Sequence, residues 1–167
     1  MLKYIGLIFI IAVTSFIGNY FSSALKIRLL NLKKVNYLID EIIILIRFKA
    51  ATVYEITEHL TDNDKFSSFS FLRKISAEKN NSFQQNWCTA LKANPPCSLK
   101  ASDIEILENI GRKLGTSDTE GQISMLNLQR IELETLISAV ETDCEQKSKL
   151  YRSLGVLSGA FISVMLI

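Results

Sequence analysis

The chain has 167 residues and a formal net charge of +2, from 19 basic and 17 acidic side chains, with a single histidine. That near-balance leaves no field to draw nucleic acid, no aromatic-rich basic stretch supports such binding, and one histidine is too few for a histidine metal site. Cys88, Cys97 and Cys144 are odd in number and lack CxxC spacing, so they are expected to be reduced, mostly packed thiols in a reducing compartment.

Tyr4 to Leu25 carries no charge over 22 residues, and Lys26, Arg28, Lys33 and Lys34 follow at once. A helix rises about 1.5 Å per residue, so roughly 20 apolar residues cross a hydrocarbon core. The stretch 4–25 is therefore expected to be a transmembrane helix. A signal peptide cleaved after Ser22-Ser23-Ala24 also fits these residues, but the basic cluster behind them argues against export. From there to about Phe48 neither Gly nor Pro interrupts the chain, and one continuous helix is expected. Leu32, Val35, Ile39, Ile42 and Ile46 form a seam along it, with Leu25, Leu29, Leu38 and Leu45 broadening the face.

Shorter helices follow. Thr52 caps a helix from Val53 to about Leu60, with Glu55 placed as in a capping box. Phe66, Phe69, Leu72 and Ile75 read as one face of the next. Ser82 caps a helix bearing Phe83, Trp87, Ala90 and Leu91, which Asn94-Pro95-Pro96 stops. Trp87 is read as a core or interface anchor. Ser102 with Glu105 resembles another capping box ahead of Ile104, Leu107, Ile110 and Leu114.

A second seam, Ile123, Leu126, Arg130, Leu133, Ile137, Val140 and Cys144, lies on a last helix that no Gly or Pro breaks between Gln122 and Leu154. The two seams fit an antiparallel pair, and fit equally well with each packing on other helices; dimerisation through them stays open. Lys147, Lys149 and Arg152 precede Ser153 to Ile167, which carries no charge. The stretch 153–167 is short for a span, but its apolar residues cover every face, so a second transmembrane helix is expected. The positive-inside bias then places 26–152 in the cytoplasm and both termini outside, with the basic clusters against anionic headgroups. The fold class expected is all-α, a helical bundle between two membrane helices.

No phosphate loop, metal-ligand spacing or nucleophile elbow is present. No catalytic, cofactor or metal residue is assigned, and His59 is read as surface or packing. Asp103, Glu105 and Glu108 crowd a helix start, where the dipole favours carboxylates.

One segment carries specific information: Ile110-Gly111-Arg112-Lys113-Leu114-Gly115-Thr116-Ser117-Asp118, followed by Gln122, reads as a tight corner between helices. Gly111 permits close approach of a neighbour, Gly115 a left-handed stop, and Asp118 an N-cap. This corner, the opening Met1-Leu2-Lys3-Tyr4-Ile5-Gly6 and the stretch Ser153-Leu154-Gly155-Val156-Leu157-Ser158-Gly159 resemble the stage III sporulation protein AB family over nearly the whole chain. Ile110 stands where that family commonly has an aromatic.

The resemblance implies a mother-cell membrane protein of endospore-forming bacteria, part of the complex joining mother cell and forespore. It also implies a helical domain similar to the cytoplasmic domains of the inner-membrane platform protein of type II secretion and type IV pilus machines. The partner implied is the complex's secretion-type ATPase, stage III sporulation protein AA, with other membrane components. The function expected is a non-enzymatic platform, with Arg112, Lys113, Asp118 and Glu120 as candidate contacts. The alternatives are a membrane-tethered helical sensor or regulatory module and, behind it, a secreted helical protein.

Overall fold

The computed structural model describes the backbone of residues 2–75 and 82–165, and side chains from 13 to 157 apart from 14, 15, 18, 76–81, 148, 152, 155 and 156. The described residues are helical without a strand: α1 (Leu2–Lys49), α2 (Val53–Asp62), a 3-10 turn (Asp64–Phe66), α3 (Ser70–Ile75), α4 (Phe83–Ala93), α5 (Ala101–Lys113) and α6 (Thr119–Met165).

The chain divides into two compact units, one made by 1–29 with 138–167 and the other by 30–137. In the first, Ser22, Val140 and Cys144 are buried, and the Phe21 ring lies 5.8 Å from that of Tyr151. Phe16, Ile17, Tyr20, Leu154 and Leu157 are exposed in the same unit. Among the described residues no helix is long and apolar enough to cross a membrane. The spans expected at 4–25 and 153–167 fall largely on side chains outside the described residues.

The unit 30–137 holds the main core. The seam expected on α1 is buried throughout: Leu32, Val35, Ile39, Ile42 and Ile46, with Leu38 and Leu45 beside them. From α6 come Ile123, Leu126 and Leu133, so both seams face inward as their period requires. Arg130, the polar residue in the second seam, reaches Asp40 of α1 at 3.1 Å and Glu134 at 3.8 Å. α4 lies against both α3 and α5, and α2 against α3.

Local chemistry sets the helix ends. Thr52 caps α2, its backbone N–H donating to Glu55 Oε2 at 2.7 Å while Glu55 N–H donates to Thr52 Oγ1 at 3.4 Å. Ser82 accepts from Gln85 N–H at 3.3 Å, and α4 ends against Asn94. Two expectations are corrected. Phe66, Phe69, Leu72 and Ile75 are all buried, but Phe66 closes the 3-10 turn and α3 begins at Ser70. Their spacing of three is the period of a 3-10 coil, and the Asn63 side chain starts that coil by accepting from Lys65 N–H at 3.1 Å. Helix α5 begins at Ala101, ahead of Ser102, because buried Asp103 accepts from Lys100 N–H at 2.9 Å. The three cysteines are free, with Cys144 buried, Cys88 half-buried and Cys97 exposed.

Candidate docking corner

The turn from α5 to α6 is built within the unit 30–137 from four directions. Helix α5 closes on Leu114, whose N–H donates to Ile110 O at 2.9 Å and whose side chain is fully buried. Gly115 follows at φ +77°, the left-handed stop its position predicts. A Cβ there would stand 2.7 Å from Val53 Cγ1, so α2 closes the space as well.

The Gln122 amide then spans the turn. Its Oε1 accepts from Gly115 N–H at 2.9 Å, and its Nε2 donates to Ser117 O at 2.8 Å. Asp118 Oδ1 accepts from Gly121 N–H at 3.2 Å, an orphan donor of the first turn of α6. From α4, Gln84 Nε2 donates to Leu114 O at 2.9 Å. Polar groups that a sharp turn strips of helix partners are thus met by side chains of the same segment or of α4.

Gly111 sits where α5 crosses α4, and a Cβ on it would fall inside the indole ring of Trp87. Trp87 is fully buried, its Nε1 donating to Leu107 O at 2.8 Å and its ring lying 5.4 Å from Phe71 and 5.8 Å from Phe83. The motif glycine and the tryptophan are two halves of one contact, which resolves Trp87 as a core anchor.

All four candidate contact residues are exposed, and Asp118 is also engaged as a cap. Arg112 pairs with Glu108 at 3.0 Å, and Lys92 of α4 approaches the same carboxylate at 3.9 Å. Cys88 and then Glu108 hold the Arg112 guanidinium above its ordinary pKa. Glu108 is thus shared by two cations, one from α4 and one from α5. Gln84, Val53 and Lys92 belong to this corner, and sequence reading missed them. Only the single tryptophan among the α4 residues hinted at a neighbour for Gly111. Among the described residues no three His, Cys, Asp or Glu side chains converge where a metal ion could be held.

Fold and corner together define an all-helical module whose last helix is set by a glycine-kinked, glutamine-bridged turn. The chain belongs to the stage III sporulation protein AB family, whose profile matches residues 3–167. No curated protein and no solved structure matches it.

Proposed function

We propose that this sporulation protein is a non-enzymatic membrane platform whose unit 30–137 docks a secretion-type ATPase of the stage III sporulation protein AA kind. The observation that carries the reading is the corner: its turn is bonded within the chain, yet it displays Arg112, Lys113 and Glu120 outward. A surface whose backbone needs no partner but whose charges face solvent suits reversible docking. Anchoring is supported by the large apolar side chains Phe16, Ile17, Tyr20, Leu154 and Leu157, which face their surroundings in the unit 1–29 with 138–167. A bilayer accommodates such a surface at no cost, whereas water does not.

Two measurements test this. In intact cells, exposed Cys97 should stay unlabelled by an impermeant thiol reagent until the membrane is opened. Labelling without permeabilisation would reverse the topology and remove a cytoplasmic ATPase as partner. Copurification of the ATPase with the full chain should be lost in Arg112→Glu/Lys113→Glu and kept in Ser124→Ala, a change at an exposed residue of α6. Equal recovery in both variants would move the docking surface elsewhere.

A further inference from the structure

In the unit formed by 1–29 with 138–167, three aromatic rings gather at one level. The Phe21 ring lies 5.8 Å from that of Tyr151 and 6.1 Å from that of Tyr20. α1 leads from this unit into 30–137 and α6 returns from it, so the contact marks the same point on an outgoing and a returning helix.

The chain differs chemically on the two sides of that point. Toward the chain ends, Val13, Phe16 and Ile17 of α1 and Leu154 and Leu157 of α6 are large, apolar and exposed, with Asn19 and Ser153 the polar residues next to the rings. On the other side lie Lys26 and Arg28 of α1 and Glu145, Lys147 and Lys149 of α6. Arg152, the last charged residue of the chain, directly follows Tyr151. At about 100° per residue, Val13, Phe16, Ile17, Tyr20 and Phe21 spread over roughly 140° of α1. A single partner helix reads a narrow seam, so an exposed arc this wide suits a fluid apolar medium. Tyrosine collects where such a medium meets water, because its ring is apolar and its hydroxyl polar.

We propose that Tyr20, Phe21 and Tyr151 form an aromatic belt seated in the headgroup layer of a lipid bilayer, and that their plane is the membrane boundary. The proposal rests on the anchoring argued above and moves its edge. The uncharged run alone sets that edge at Leu25, whereas the rings set it about one helical turn earlier. Ser22 to Leu29, about 12 Å of α1, then stand in water together with α6 up to Leu150. Ser22, Val140 and Cys144 are buried there, so the two segments keep a core of their own outside the hydrocarbon.

The test reconstitutes the full chain in phosphatidylcholine–phosphatidylglycerol vesicles whose acyl chains carry bromine either near the headgroup or near the methyl end, and reads tryptophan quenching. The parent chain, whose only tryptophan is Trp87, gives the background. Tyr20→Trp and Tyr151→Trp should be quenched roughly twofold more by the shallow bromine than by the deep one. Val13→Trp should show the opposite order, and Ile27→Trp should escape both. No quenching at Val13→Trp would remove the anchoring reading and the belt with it. Quenching at Val13→Trp with deep preference at Tyr20→Trp, or with shallow quenching at Ile27→Trp, would leave anchoring standing and overturn the boundary. Unquenched Tyr20→Trp and Tyr151→Trp beside a quenched Val13→Trp would also overturn it, because protein would then cover the rings.

Discussion

Gly111 and Gln122 differ in what they cost when changed, because one is a steric requirement and the other a polar one. The Gly111→Ala methyl would occupy the volume of the Trp87 indole, and neither helix α4 nor α5 can withdraw without opening the core around Phe71 and Phe83. Overpacking of this kind costs about 1–3 kcal/mol. We expect a lowered denaturant midpoint and, since Trp87 is the only tryptophan, an altered native fluorescence spectrum. A wild-type spectrum and midpoint would mean that α4 and α5 are further apart than described. Gln122→Ala removes two hydrogen bonds whose partners, Gly115 N–H and Ser117 O, lie at an exposed turn where water can replace them. The loss should be about 1 kcal/mol. Gln122→Glu keeps the acceptor and loses the donor, so its stability should fall between the two. If Gln122→Glu is as stable as wild type, the bond to Ser117 O contributes nothing.

Helix ends give two predictions at the scale of the element. α1 stops in a left-handed turn at Ala50, φ 45°, with Ala51 N–H reaching back to Leu45 O at 3.3 Å. Glycine is the residue this geometry favours, since a Cβ in that region costs about 1 kcal/mol or more. Ala50→Gly should therefore raise stability by about 1 kcal/mol, and a fall in thermal midpoint would contradict the assigned helix end. At the start of α2, the Thr52 backbone N–H and then its hydroxyl hold the Glu55 carboxyl below its ordinary value of 4.5. A carboxyl lowered in the folded state adds stability above its unfolded value and loses it as pH falls through the folded one. Stability should accordingly drop on the acid side of 4.5, and Glu55→Gln, which caps without titrating, should lack that component. Matching acid limbs for the two proteins would remove Glu55 as a contributor.

For the whole molecule, the three thiols report on burial in both units at once. Cys97 is exposed, Cys88 half-buried beside Arg112, and Cys144 buried. Alkylation of the native protein should proceed in that order, with Cys144 reacting only as its unit opens. Faster reaction at Cys144 than at Cys88 would show that the pairing of 1–29 with 138–167 is looser than its buried Ser22 and Val140 indicate.

The sequence by itself determined the seams, most of the helix caps and the glycine stop, which depend on neighbours along the chain. The seams of α1 and α6 follow from hydrophobic period, and the caps at Thr52, Ser82 and Asp118 from short side chains placed before apolar runs. The stop at Gly115 follows from the freedom of glycine at positive φ. Helix α5 starts ahead of Ser102 because Ser102 and Asp103 both offer a capping oxygen, and burial of Asp103, a tertiary matter, chooses between them. Likewise the apolar residues Phe66 to Ile75 have a period that a short helix and a 3-10 coil share until Asn63 fixes the turn. Only the tertiary structure joined Gly111 to Trp87, Gln84 to Leu114 and Arg130 to Asp40, since these pairs are 24, 30 and 90 positions apart and nothing in local pattern encodes distance across a fold. It also decided that α1 keeps an uncovered apolar face, because exposure belongs to the packed chain and cannot be read from period alone.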